Sequence, residues 1–249
     1  DDPVSTSLPP FDPPLTAGLR AHLATHTGPG TAANHAHLAR DTTLALRDAI
    51  RQDTTELGQA PSEFRFFLAF AGEVMDRYGR LLAYLNRHEP DPGPAGRPDT
   101  YNERLLAAGW VTPYFIWPNV NPFRRATSIS AAVPKPGTAH ANAQHESTLR
   151  NARESVTAAR AAGVGLYQPG SELRLLPFEL RYLARSHATP SGAVRRSPPD
   201  RWLIDLSSDD DRLYPPQAYW RIRNPEDRLF VPAEYVPLFV ERGWRRRRA

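Results

Sequence analysis

Asp76-Arg77-Tyr78-Gly79-Arg80-Leu81-Leu82-Ala83-Tyr84-Leu85 sets two arginines about a tight turn and then runs into an apolar segment. Leu81 to Asn86 is expected to leave that turn as a strand. Just upstream, Phe64 to Phe70 is dense in aromatic and aliphatic residues, short for a helix and bounded by turn signals. It is expected to be a buried strand, with Phe64, Phe66, Phe67 and Phe70 in the core. The two segments then form a hairpin with a long connection. A guanidinium at such a turn can hold a phosphate, because its planar fork pairs two oxygens at once and keeps its proton. The plainer alternative for Arg80 is a surface ion pair with Asp76 or Glu73.

Helices are expected on both sides of the hairpin. Ala32 to about Gln52 places Leu38, Thr42, Ala45, Leu46, Ala49 and Ile50 on one face, with Asn34 as a cap. Tyr101 to Ala108 is a second helix, closed by Gly109. His140 to Ala162 is a third, with Leu149, Ala152, Val156 and Ala159 as its apolar stripe and Gly163 and Gly165 at its end. A short helix is expected over Leu15 to Thr25, and another over Leu173 to Ser186. Trp110 to Pro122 reads as a packed irregular loop and Thr127 to Ala139 as a flexible link. Trp202 to Leu206 reads as a short strand. Pro215 to Phe239 mixes apolar residues with prolines and reads as compact but irregular.

Five prolines in residues 1–14 argue for an extended lead-in. The chain opens without Met and without a charged-then-apolar leader, which reads as a processed product or a fragment. At 249 residues it has room for one domain and an extension. No run approaches the roughly 20 apolar residues of a membrane span, so no membrane partner is expected. The absence of cysteine excludes disulfides and thiolate metal sites. The net charge of +4 is carried by the last nine residues, where Arg242 and Arg245 to Arg248 outweigh Glu241. That tail reads as a solvated terminus or as an arm that attracts phosphate, with binding that weakens as salt rises.

Two further clusters carry possible chemistry. His22 and His26 stand four apart, followed by His35 and His37, but no third zinc ligand of suitable spacing accompanies them. Asp205, Asp209, Asp210 and Asp211 offer hard oxygens without the spaced ligands of a calcium loop, and read as a solvated turn.

Three blocks, in order, resemble the staphylococcal nuclease (thermonuclease) family. They are Asp76 to Leu85; Tyr101-Asn102-Glu103-Arg104-Leu105-Leu106-Ala107-Ala108-Gly109; and His145-Glu146-Ser147-Thr148-Leu149-Arg150 running on to Gly165-Leu166-Tyr167. The resemblance spans about residues 32–167. It implies an α+β fold, a small OB-type β-barrel flanked by helices and incomplete in this chain, with an irregular α/β extension behind it. Three segments follow: a lead-in over 1–31, a thermonuclease-like domain over 32–167 and a C-terminal extension over 168–249. It further implies calcium-dependent cleavage of DNA or RNA. By position, Arg80 would pair the scissile phosphate and stabilise the transition state, and Arg77 and Tyr78 would hold a terminal phosphate. Phe115 and Trp117 would line the nucleotide pocket by stacking alone, since they lack the hydroxyls of the family's two tyrosines. The family's first three strands, with its metal-binding aspartates and water-activating glutamate, would precede residue 32. An upstream segment or a protein partner would then complete the barrel. Two other roles fit the same residues: a non-catalytic OB-type module that binds nucleic acid, or a scaffold whose residues 168–249 dock a protein.

Overall fold

The computed structural model describes residues 8, 10–70, 72–75, 79, 81–89, 96–120, 127–185, 187–188 and 190–248. The architecture mixes α and β. Helix α1 (Ala17–His26) is capped by the Thr16 hydroxyl, which accepts from the Leu19 amide. Its Leu19 and Leu23, one turn apart, are both buried. Helix α2 (Thr31–Glu56) starts at Gly30, whose φ of 81° closes the preceding turn. Asn34 is therefore not the expected cap. It lies inside the first turn, donating to the Glu172 carbonyl and accepting from the Arg174 amide.

Strands β1 (Phe66–Ala69) and β2 (Tyr84–Arg87) pair antiparallel, Phe66 opposite Arg87 and Ala69 opposite Tyr84, as the expected hairpin. The phenylalanine core does not form there. Phe66 is 45% exposed and Leu68 40%; Phe66 meets only ring edges, of Phe64 and of Tyr101 on α3, so that face of the two-stranded ribbon stays partly open. Helix α3 (Tyr101–Ala107) opens with a reciprocal capping box between Thr100 and Glu103. The Asn102 carboxamide accepts from the Leu85 amide at 2.9 Å and ties α3 to the hairpin.

A buried carboxylate locks this corner together. Asp53 of α2, 1% exposed, accepts from the Tyr101 hydroxyl at 2.5 Å and from Arg104 Nη1 at 2.7 and 2.9 Å. Arg87 of β2 reaches it at 3.3 Å and also pairs with Glu56 and Glu89. Burying an anion is tolerable only with several charged or hydroxyl donors around it.

Beyond a short strand β3 (Phe115–Ile116), the expected single helix over His140 to Ala162 is two. Helix α4 (Ala139–His145) and helix α5 (Ser147–Ala162) meet at Glu146, whose backbone is extended. Asp209 Oδ1 accepts from the His140 and Ala141 amides, so α4 begins where that carboxylate is held. The bend turns Ala139, Ala143 and Leu149 into one core. The stripe Leu149, Ala152, Val156 and Ala159 is buried as expected. Helix α6 (Pro177–Ala184) starts on Glu179, which accepts from the Leu176 amide.

Strands β4 (His187–Ala188) and β5 (Val194–Arg195) form a small ribbon. Strands β6 (Trp202–Asp205), β7 (Arg212–Leu213) and β8 (Arg228–Val231) follow, then helix α7 (Val236–Glu241) and strand β9 (Arg245–Arg246). The central sheet has the order β3-β8-β6, with β8 parallel to β3 and antiparallel to β6. Its middle strand lies in the segment expected to be irregular. All four residues of β8 are buried, so it shows no alternation to read.

Two cores flank this sheet. One joins Phe11, Leu15, Leu19 and Leu23 to Leu175, Phe178, Leu203 and Phe230. The other joins Trp117, Val133 and Leu149 to Ile204, Leu213, Val231, Phe239 and Trp244. Packing therefore crosses both expected boundaries, at 31 and at 167. The sheets are small, and no barrel closes among the described residues. No described helix is long and apolar enough to cross a membrane.

Two substitutions test this framework. Asp53→Ala leaves two cations and a phenol facing a vacated site, and should cost about 3 kcal/mol in urea unfolding. Gly165, at φ 58°, packs against the Gly109 carbonyl, which accepts from the Leu166 amide at 2.8 Å. A methyl group there meets that carbonyl, so Gly165→Ala should cost about 2 kcal/mol or more.

Candidate functional site

Arg77, Tyr78 and Arg80 lie outside the described residues, and so does Asp76. What holds the ends of their turn is described. Leu82 donates its amide to the Val74 carbonyl, and Met75 bridges Leu81 antiparallel. Glu73 donates its backbone amide to the Asn119 side chain at 2.8 Å. Its carboxylate accepts from the Tyr235 hydroxyl at 2.5 Å, with the Asn119 amide at 3.4 Å. Asn119 also accepts the Tyr84 hydroxyl on its carbonyl. The turn is thus stitched to the segment after β3 and to the start of α7. Burial pushes the Tyr84 phenol up to about 12, and burial with the Glu73 carboxylate does the same for Tyr235. Both remain neutral donors at neutral pH.

The two aromatic residues expected to line a nucleotide pocket are placed otherwise. Trp117 is 2% exposed. Tyr235 and Phe239 pack edge-on against it at 5.0 and 4.9 Å, and its Nε1 donates to the Ala132 carbonyl. Its ring is a core element here, with no face free for a base. Phe115 is half-buried between the core around Trp117 and a smaller cluster of Leu106, Ala152 and Val156. The arginine tail is docked rather than free. Arg245 pairs with Asp211 at 2.6 Å, Arg246 lies over the Trp202 ring and Arg247 over the Tyr214 ring.

The chemistry of the other clusters is also spent internally. His22 Nε2 lies 3.1 Å from Glu179, whose same oxygen accepts the Tyr219 hydroxyl. Asp205 accepts from the Ser207 amide and hydroxyl, and Asp210 lies 3.6 Å from Arg212. Among the described residues no group of three or more His, Asp or Glu could hold a metal ion. The calcium implied by the resemblance therefore finds no donor set in them.

One site has no counterpart in the sequence reading. A hollow between α2, Trp110 to Tyr114 and α6 has a volume of about 360 Å³ and brings together His35, Thr42, Tyr114 and Arg181. His35 Nε2 is shut from solvent and has no hydrogen-bond partner. Burial holds the imidazole pKa below its ordinary value, and the Arg181 charge acts in the same direction. Isolated histidines at positions 35 and 37 gave no signal for this, because the other walls come from segments 75 and 140 residues away.

No family model matches the chain, and neither the curated proteins nor the solved structures contain a match to it.

The lowered His35 pKa has a consequence for stability. Between the folded and unfolded values the unfolded chain binds more protons, so this contribution is full above the ordinary value of 6.5 and is lost as pH falls below it. Urea titrations from pH 7.5 to 5 should show wild type losing more stability than His35→Gln over that window; parallel curves would remove His35 from the account.

Proposed function

We propose that the chain acts in phosphodiester cleavage of DNA or RNA, as a thermonuclease-like nuclease or the C-terminal portion of one. The observation that supports this reading is the packing of the three resembling blocks on one another. The β1–β2 hairpin joins α3 through Leu85 and Asn102, and the end of α3 joins the end of α5 through Gly109 and Leu166. The contacts between the blocks thus fall on residues of the resembling stretches themselves.

The finer fold in this proposal is an OB-type barrel completed by strands from an upstream segment or a protein partner. Phe66, Leu68, Val74, Met75 and Leu81 are each 40% exposed or more, along one hairpin. Such an apolar ribbon is poorly stable in water and calls for a covering layer. Arg80 would receive the phosphate: its fork pairs two oxygens, and its charge opposes the negative charge that builds on them as the bond to the leaving oxygen breaks. The described residues offer no ligands for calcium, and no step is derived through it. Arg77 and Tyr78 would hold a neighbouring phosphate. The base-stacking role expected for Trp117 is not carried forward.

A second reading rests on the docked tail. Arg245 and Arg246 lie exposed along β7, and Arg246 and Arg247 lie over aromatic rings. A basic, aromatic-backed ribbon fits a module that holds nucleic acid without cutting it.

Labelled single- and double-stranded oligonucleotides, incubated with the intact gene product in calcium, magnesium or EDTA, separate the two. Metal-dependent cutting that falls by about 10²–10³-fold in Arg80→Ala is the expected result. An unchanged rate would sink the role given to Arg80. Salt-sensitive binding with no product under either ion would favour the second reading.

A further inference from the structure

The hollow between α2 and α6 has a composition unlike the nuclease-like corner. Its walls are apolar, with Leu38, Trp110, Val111, Leu166, Leu173 and Phe178 among them. Tyr114 and Phe178, stacked on one another at 5.4 Å and 25°, both contribute to its lining. Its volume of about 360 Å³ falls in the range of small-molecule sites.

The polar groups at the hollow divide into those already engaged and those not. The Thr42 hydroxyl sits 2.9 Å from the Leu38 carbonyl and 2.7 Å from the Trp110 carbonyl, so its one proton is committed to the backbone. The Tyr114 hydroxyl accepts from Arg201. Arg181 is different: it is exposed at the edge of the hollow, and among the described residues no carboxylate stands within ion-pair distance of it. His35 also lines the hollow, with its unpartnered Nε2 shut away from solvent. A purely apolar guest would leave the Arg181 charge without a partner. A phosphate, with more charge and a stronger hydration shell, needs more donors than one guanidinium. A single negative charge on a flat apolar body answers the set: a carboxylate can take the fork of Arg181 while rings fill the space beside Trp110 and Phe178.

We propose that this hollow is a binding site for a small organic carboxylate with an aromatic or alicyclic body, anchored by Arg181 and received beside His35. The site is independent of the phosphodiesterase reading and stands or falls without it. The guest enters past Ala39, an exposed residue of α2 on the rim.

The test is calorimetric titration of the full chain with three probes: 2-naphthoate, the neutral 2-naphthalenemethanol and acetate. Naphthoate should bind saturably and at least about tenfold more tightly than the alcohol, reflecting one charge-assisted bidentate pair. Acetate, lacking the body, should show no saturation. Arg181→Gln should bring naphthoate to the affinity of the alcohol. Ala39→Phe places a ring in the mouth from an exposed helix position and should abolish both, with circular dichroism confirming that the fold is kept. In the wild type the His35 ring resonances should shift with naphthoate occupancy. Equal binding of acid and alcohol, naphthoate binding that survives Ala39→Phe, or no binding of naphthoate at all would each overturn the proposal.

Discussion

Four residues, Arg228 to Val231, carry the organisation of the molecule, because they pair on both edges and are covered on both faces. Phe230 points its contacts into the core that holds α1 and α6, while Leu229 and Val231 belong to the core around Trp117 and Trp244. The neighbouring strands divide in the same way: Leu203 joins the first core and Ile204 the second. Alternation of side chains across one short sheet thus builds two cores at once. The cost is a buried cation. Arg228 is 4% exposed, and burial lowers its pKa. Its Nε donates to the Ile222 carbonyl, its guanidinium lies over the Tyr219 ring, and its Nη1 has no partner.

The same strand fixes both regions that carry chemistry, through β3. Pairing of Phe115 and Ile116 with Leu229 and Phe230, extended by the Trp117 amide on the Phe230 carbonyl, leaves little freedom to the residues on either side. Before the pair, Tyr114 faces the hollow beside α6. After it, Trp117 locks into the second core and Asn119 grips the base of the hairpin turn through Glu73 and Tyr84. Displacing β3 by one residue would exchange the faces of all these side chains. The hollow and the turn are therefore coupled to one register even though they share no residue.

Local signals in the sequence survive in the fold wherever the structure is local. The hairpin segments, the helices over Ala32 to Gln52 and Tyr101 to Ala108, and the stripe Leu149 to Ala159 all read correctly, since each depends on spacing within one element. The failures share a different origin. β8 carries prolines on both sides and buries every side chain, so neither alternation nor composition marks it. The helix expected over His140 to Ala162 divides at Glu146, and its first part is held at its N-terminus by Asp209, a carboxylate more than 60 residues away in sequence. The phenylalanine-rich strand reads as core by composition, but burial requires a second layer, and composition says nothing about whether one is present. Trp117 reads as a stacking residue of a nucleotide pocket until Tyr235 and Phe239 are seen packed around it.

Buried carboxylates explain why the assembly is specific rather than merely compact. Asp53 joins α2, β2 and α3. Glu179 joins α6 to α1 through His22 and to the 216–221 turn through Tyr219. Glu226 and Asp227 hold α5 against the entrance to β8 through Arg160, Thr157 and Arg153. Asp53 and Glu179 accept from donors on different elements, and Glu226 from two donors on α5, so a misdocked helix would leave a charge buried without partners, at a cost of several kcal/mol. The hairpin joins this scheme at only one end. Arg87 and Asn102 secure its base to α2 and α3, while Glu73 and Asn119 hold the other end, and the face of Phe66 and Leu68 between them stays largely exposed. A ribbon held at both ends keeps its position while that face stays exposed.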